Sequence, residues 1–432
     1  MKRWYGVLSA FLLLYLPGAG QAVMTLEEAL SLALKQNYDI RVARSSADID
    51  AANNTAGNAG MLPSIGVSAS DQFSYDQVSS TLASGATSTA SGARVNNLSS
   101  DLGLSWTLFN GGKMFVTRNK LRQINELGEI QFREQVDQTV SDIILAYYDV
   151  VRQKQQLASI REVIRYNTER VTILEASFRA GMVPKTDLLQ SQVDLNVFTE
   201  NAIIQETVVL ASKRKLNQLI CRDAETAFEV TDSIRLDYTP NRDDFREKIY
   251  SRNTQVLGLQ KQADISALTV REMNASRWPG LSLSAGYGYS LNTNTAGSVT
   301  RNQVFGPSVG GSLSWSLFNG GNINRQVRVA RLQEQSARFA LESVKTAVNT
   351  RLQNALSDYD QAVKLMELEK GNTLLAKENL TISLDRLRLG QTTALEVRQA
   401  EESYIQSLTR YIQFAYTAKL AETTLRQLVS NL

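Results

Sequence analysis

Apolar and polar residues alternate with period two in four short stretches of this chain, and follow a helical period almost everywhere else. In the first stretch Ile65, Val67, Ala69, Phe73 and Tyr75 share one face, interrupted by Asp71, opposite Gly66, Ser68, Ser70, Gln72 and Ser74. In the second, Leu102, Leu104, Trp106 and Leu108 oppose Gly103, Ser105 and Thr107. In the third, Leu281, Leu283, Ala285, Tyr287, Tyr289 and Leu291 oppose Ser282, Ser284, Gly286, Gly288 and Ser290. In the fourth, Val309, Leu313, Trp315 and Leu317 oppose Ser312, Ser314 and Ser316. This period predicts strands with two unlike faces. Each run is about 11–13 residues, enough for a tilted membrane strand, which needs roughly 9–11. The segments Asp76 to Asn97 and Asn292 to Gly306, rich in Ser, Thr, Asn and Gly, predict the loops of two hairpins. Four strands cannot close a barrel, and an open edge in lipid leaves backbone groups unsatisfied, so membrane strands here require several chains to share one barrel. The alternative is a soluble sheet with one face packed on a core.

The remainder predicts helices. From Gly112 to Gly181 there is no proline, and Val136, Ile143, Val150, Leu157, Ile164, Val171 and Phe178 recur every seventh residue. Ile160, Asn167 and Leu174 supply part of the second seam position, and the later copy gives Leu352, Tyr359, Met366, Leu380 and Leu387. A sustained seven-residue repeat implies coiled-coil packing. Such a helix is ~68 residues, or roughly 100 Å at 1.5 Å per residue. Helices of about half that length are expected over about Thr25–Gly60, Lys185–Leu219, Asp243–Arg277 and Ala394–Leu428. Asn37 and Asn253 are expected at solvated helix positions, and Gly181 and Gly390 at turns where a positive φ ends a helix.

These patterns occur twice. Trp106-Thr107-Leu108-Phe109-Asn110-Gly111-Gly112 returns 209 residues later as Trp315-Ser316-Leu317-Phe318-Asn319-Gly320-Gly321. At the same offset Gly181 matches Gly390, Asp187 matches Glu396, and Leu216-Asn217-Gln218-Leu219 matches Leu425-Arg426-Gln427-Leu428. Before the first junction the offset is 216, pairing Asn37 with Asn253 and Pro63 with Pro279, so a longer loop is expected in the first hairpin. The implied organisation is a first repeat over 23–220 with its hairpin at 63–109, a linker over 221–242 in a belt around mid-shaft, and a second repeat over 243–432 with its hairpin at 279–318.

Composition narrows the function. Lys2-Arg3, an apolar stretch to Leu16 and small residues up to Ala22 predict a secretory signal peptide over 1–22. No later apolar run is long enough for a transmembrane helix. A formal net charge of +3 offers no argument for nucleic acid. Cys221 is the one cysteine and there is no histidine. That removes an intrachain disulfide, Ser-His and Cys-His nucleophiles and the commonest transition-metal ligand. Carboxylates are scattered and read as solvated faces. No enzyme, cofactor or metal site is expected.

The chain resembles the TolC family of outer-membrane channel proteins. The resemblance rests on the paired Leu-Phe-Asn-Gly-Gly junctions, the duplicated strand pairs, and the motifs Phe178-Arg179-Ala180-Gly181-Met182-Val183 and Leu387-Arg388-Leu389-Gly390-Gln391-Thr392. It covers nearly the whole chain after the signal. It implies a mainly α fold with a membrane β-barrel portion: a homotrimer with a 12-stranded barrel in outer-membrane lipid, continued by a periplasmic coiled-coil tunnel. It further implies docking to a periplasmic adaptor (membrane fusion) protein and an inner-membrane transporter, for efflux or type I secretion. By the same resemblance Gly181, Met182, Val183, Gly390, Gln391 and Thr392 form adaptor-docking tips. Glu396 matches an acidic position at the periplasmic entrance, where Gln399 replaces a second acid, and Thr186 and Asp187 match a polar latch whose aromatic and arginine partners fall here on Leu387 and Thr392. Trp106, Phe109, Trp315 and Phe318 would mark the membrane interface.

Two other classes compete with a passive conduit. A structural coiled-coil envelope protein or adhesin would not need duplicated membrane-type hairpins ending in Trp-x-Leu-Phe. A periplasmic adaptor would carry one helical hairpin and no internal duplication.

Overall fold

The computed structural model describes residues 23–236, 238–296 and 299–432; the expected signal peptide lies outside the described residues. The elements run α1 (Leu26–Gln36), α2 (Tyr38–Asn53), β1 (Ser64–Thr81), β2 (Thr87–Asn110), α3 (Lys113–Arg179) and α4 (Lys185–Leu219). The same order then repeats as α5 (Arg242–Arg252), α6 (Thr254–Ala275), β3 (Gly280–Asn294), β4 (Arg301–Ser314), α7 (Asn322–Arg388) and α8 (Ala394–Leu428). Among the described residues no helix is long and apolar enough to cross a membrane.

Local chemistry explains the boundaries. Thr25 and Glu28 form a capping box at α1: the Glu28 amide donates to Thr25 Oγ1 at 3.2 Å, and the Thr25 amide to Glu28 Oε2 at 3.0 Å. The two long helices, α3 and α7, have 67 residues each and hold no proline. Of their seam residues Ile143, Val150, Leu157, Leu352, Tyr359, Leu380 and Leu387 are buried, as are Ile160, Asn167 and Leu174; Phe178 at the end of α3 is exposed.

The expected unbroken helices over Thr25–Gly60 and Asp243–Arg277 are each split by an asparagine. Asn37 and Asn253 are buried, not solvated, and each is the C-cap of its short helix with extended backbone. Their side-chain amides reach the last carbonyls of α4 and α8, which accounts for both the break and the burial.

The sheet is antiparallel, in the order β1-β2-β3-β4, with β1 and β4 at its edges. The strands reach well into the stretches expected as loops: β1 has 18 residues and β2 has 24, leaving 82–86 between them, with Thr81 opposite Thr87. The seven extra residues of the first copy therefore lengthen strands rather than a loop. Ser and Thr are compatible with a strand whose faces are not packed in a core, and β-branched Thr favours it. The fourth strand is shorter than its pattern. It ends at Ser314 because its one neighbour among the described residues, β3, begins at Gly280, the residue opposite Ser314. The matching residues of β2 stay in the ladder through Asn110 because β3 pairs with them.

The chain divides into two compact units. Among the described residues, one contains those up to Arg41, Gln135–Asn253 and Val348–Leu432; the other contains Val42–Glu134 and Thr254–Ala347. In the first unit, one core gathers Ala29, Ala33, Ile143, Tyr147, Val150 and Leu216 with Phe228 and Val230. The last two belong to the segment between α4 and α5, which is thus packed: Glu229 bridges Lys213 at 2.8 Å and Lys154 at 3.0 Å. A second core in this unit gathers Val163, Tyr166, Leu174, Leu188, Leu380, Leu384, Leu387, Val397 and Tyr404. The other unit holds the sheet, with Lys261 of α6 bridging Glu126 of α3 at 2.6 Å and Lys120 paired with Glu272.

Candidate functional site

The duplicated junction has a mechanical reading. Asn110 Oδ1 accepts from the Met114 amide at 3.0 Å, and Asn319 Oδ1 from the Ile323 amide at 3.4 Å, so each asparagine satisfies a free N–H at the start of a long helix. The Trp106 indole donates to the Met61 oxygen at 3.0 Å, and Trp315 to the Arg277 oxygen at 3.1 Å. Each ring is thereby pinned by its polar end while its apolar body stays exposed. Phe109 lies within β2, and Phe318 lies beyond β4 and is 87% exposed. Above them the apolar face is open: Val67 is 74% exposed, Val309 78% and Leu313 72%. A contiguous apolar face of this kind marks a membrane or partner surface.

Two turns follow the long helices. Gly181 (φ 75°) and Gly390 (φ 68°) adopt the left-handed conformation. After each, an amide reaches back five residues: Met182 to the Ser177 oxygen at 2.9 Å and Gln391 to the Arg386 oxygen at 2.8 Å. This is a Schellman closure, which needs a positive φ at the residue that glycine supplies. Met182 and Gln391 are exposed, Val183 packs against the core below, and Thr392 is half-buried. The Thr392 hydroxyl donates to the Glu396 carboxylate, and the Glu396 amide to Thr393 Oγ1 at 3.3 Å. Leu387 is buried in the core.

Beyond the turns, the starts of α4 and α8 meet around a cleft of about 230 Å³ lined by Arg170, Asp187, Gln190, Ser191, Asp194, Thr393, Ala394, Leu395 and Arg398. Asp187 therefore meets the start of α8, while Thr186 contacts Asp187 at 3.5 Å. Glu396 and Gln399 do not line this cleft; Gln399 is exposed, and its main-chain oxygen accepts from Ser403.

Behind the cleft is a charged cluster that sequence reasoning missed. Arg170 of α3 is 1% exposed. Its guanidinium pairs with Asp194 of α4 at 2.8 Å and with Glu401 of α8 at 3.0 Å, and donates to Asn167 Oδ1 at 2.8 Å. Gln190 donates to Asp194 at 2.9 Å. Arg170 Nε and Glu401 Oε1 are buried with no hydrogen-bond partner. Burial lifts the Glu401 carboxyl to about 7; Arg170 pulls it down, and Asp194 adds to the rise. Glu401 is thus not part of a solvated face. The available signal was Asn167, a polar residue at a seam position, one turn before Arg170.

A second polar link ties α3, α7 and α8. Tyr404 and Lys377 each donate to Glu162 at 2.9 Å. Burial opposes ionisation of Glu162, yet the bonds from Lys377 and Tyr404 hold its carboxyl below the usual range. Burial, then the bond to Glu162, push the Tyr404 phenol well up. Arg388 also pairs with Glu169. Among the described residues no group of His, Cys, Asp and Glu could hold a metal ion.

The fold has known counterparts. Alkaline protease secretion protein AprF of Pseudomonas aeruginosa is 23% identical over 326 residues, 71% of this chain and 66% of that protein. Outer membrane protein TolC of Vibrio cholerae is 20% identical over 291 residues, 66% of each chain. The chain thus spans just under two thirds of the length of both relatives. The crystal structure of the Campylobacter jejuni CmeC outer membrane channel superposes with a TM-score of 0.79 at 16% identity, covering 94% of this chain and 85% of that one. The fold is TolC-like, with two repeats per chain. The profile of the family described as outer membrane efflux protein matches residues 29–220 and 247–431, and the chain belongs to that family.

Proposed function

We propose that this protein is one subunit of a homotrimeric outer-membrane channel, the exit duct of an efflux pump or type I secretion system. The observation that carries the reading is the four-stranded sheet with one apolar exposed face and two edge strands, β1 and β4. In lipid those edges must be paired. Three copies, β1 of one beside β4 of the next, supply 3 × 4 = 12 strands, within the range of membrane barrels. Trp106, Phe109, Trp315 and Phe318 sit at the lipid boundary. The chain is exported by its signal peptide, and repeats 23–220 and 243–432, joined through a mid-shaft belt at 221–242, extend into the periplasm.

The duct is passive and takes its energy from an inner-membrane transporter through a periplasmic adaptor. The adaptor docks on the turns at Gly181, Met182 and Val183 and at Gly390, Gln391 and Thr392. Thr186, Asp187, Glu396 and Gln399 lie at the periplasmic entrance. Native mass spectrometry in mild detergent together with planar-bilayer recording tests the reading. A trimer mass with conducting channels is expected, and a monomer that conducts, or a trimer that never does, overturns it.

A further inference from the structure

The polar face of the sheet carries its charge at very few places. Asp101, on β2, lies on the face of Gly103 and Ser105, opposite the face of Leu102 and Trp106. Across the strands its row reads Ser68, Asp101, Gly288 and Gly306, and the adjoining row reads Gly66, Gly103, Gly286 and Ser308. In these two rows Asp101 is the one side chain larger than serine. The glycines are close to its carboxylate: a Cβ added at Gly103 would lie 3.2 Å from Oδ2, one at Gly288 3.4 Å from Oδ1, and one at Gly286 3.6 Å from Oδ1. The carboxylate rests against bare backbone and is exposed. Among the described residues of this face the other charge is Asp76, also acidic, near the far end of β1. The arginines of the sheet, Arg94 and Arg301, fall on the opposite face by the same alternation, Arg94 stacking over Tyr75.

We propose that Asp101 sets the charge preference of the barrel lumen, so that the exit passes cationic and neutral cargo more readily than anionic cargo. The inference rests on the channel reading, because it needs the polar face turned inward and three copies around one axis. Three carboxylates at one level, with no cation among the described residues of the same wall and only glycine and serine beside them, give a negative potential that nothing nearby offsets. Clefts lined by one sign of charge concentrate the opposite ion. The glycine rows keep the bore wide at this level, so the selection acts through charge rather than through a steric constriction.

The experiment is the reversal potential of single channels in a KCl gradient. Asp101→Asn should reduce the preference for potassium over chloride, and Asp101→Lys should move the reversal potential toward chloride. Asp71→Asn, on the apolar face, should leave it at the wild-type value. Repeating the Asp101 pair in a Glu396→Gln background removes the carboxylate proposed at the entrance as a masking filter. Conducting Asp101→Asn and Asp101→Lys channels with the wild-type reversal potential in both backgrounds overturn the proposal. If the unaltered protein never conducts, the channel reading itself fails, and that outcome is distinct.

Discussion

The side chain of Asn37 donates from Nδ2 to the main-chain oxygen of Leu219 at 2.8 Å. Its Oδ1 accepts from the amides of Asp39 at 2.8 Å and Ile40 at 3.1 Å. One amide therefore closes the C-terminus of α4 and opens α2. In the second repeat Asn253 donates to the Leu428 oxygen at 3.0 Å, at the end of α8. The pairing preserves both offsets of the duplication, 216 between the asparagines and 209 between the leucines.

Removing either amide leaves a carbonyl, half-buried at Leu219 and buried at Leu428, without this donor, which costs about 1–3 kcal/mol. Asn37→Ala and Asn253→Ala should each lower the denaturant midpoint of the detergent-solubilised protein by that order. Asn37→Asp keeps the acceptor for α2 but turns an oxygen toward the Leu219 carbonyl, so it should not rescue. Alanine variants as stable as the parent would show that these bonds contribute no net stability.

The two junction glycines Gly111 and Gly320 match in sequence and in φ, 70° and 66°, but their surroundings differ. A Cβ at Gly111 would lie 2.3 Å from the Ala275 oxygen and 2.8 Å from Trp278 Cβ, whereas at Gly320 nothing comes within 4 Å. Both alanine variants incur the left-handed penalty, roughly 1–2 kcal/mol. Only Gly111→Ala also forces α3 away from the end of α6. Assembled channel recovered from membranes should therefore fall far more for Gly111→Ala than for Gly320→Ala, and equal yields would contradict the crowding at Gly111.

What the sequence shows, and what it hides, follows from range. The strand–helix order, the long seams through Ile143, Val150 and Leu380, and the turns at Gly181 and Gly390 are set by local period and by glycine, and all can be read from short windows. Asn37 matched Asn253 in the repeat, yet its burial depends on Leu219, 182 residues away, so local pattern placed it in solvent. Glu401 looks like one more helical carboxylate until Arg170 is brought to 3.0 Å from it. The extent of β1 and β2 was masked by Ser and Thr. Those residues suit a turn, but they equally suit a strand that has no core to fill.

Cys221 and Ser430 end α4 and α8 with φ of 55° and 47°, the positions where α3 and α7 use glycine. Both sit in Schellman closures, with Arg222 donating to the Asn217 oxygen at 2.9 Å and Asn431 to the Arg426 oxygen at 3.0 Å. Glycine relieves the left-handed strain but loosens the unfolded chain, so Cys221→Gly and Ser430→Gly should each stabilise by a net gain of about 0.5–1 kcal/mol. Cys221→Ala should give no such gain. A higher midpoint for the alanine variant than for the glycine one would locate the effect in the thiol rather than the backbone.

The cluster around Arg170 should make stability depend on pH through Glu401. Its carboxyl is lifted by burial to about 7 in the folded protein, against roughly 4.3 in an unfolded chain. The folded state therefore holds this proton more tightly. That contribution to stability is full below about pH 4.3 and is lost as pH rises through about 7. Above that range two carboxylates, Asp194 and Glu401, share the buried guanidinium, and Glu401 Oε1 has no donor. Glu401→Gln leaves Asp194 to balance Arg170 and removes the titration. Its unfolding midpoint should lie closest to the parent's near pH 4.5, exceed it increasingly toward pH 8, and lose the slope between. Asp194→Asn removes the neighbour that raises Glu401 and should move the parent's transition to lower pH. The measurement is the denaturant midpoint of the three proteins across pH 4.5–8. A parent and a Glu401→Gln variant with the same slope through that range would show that Glu401 stays ionised beside Arg170 and is no source of pH dependence.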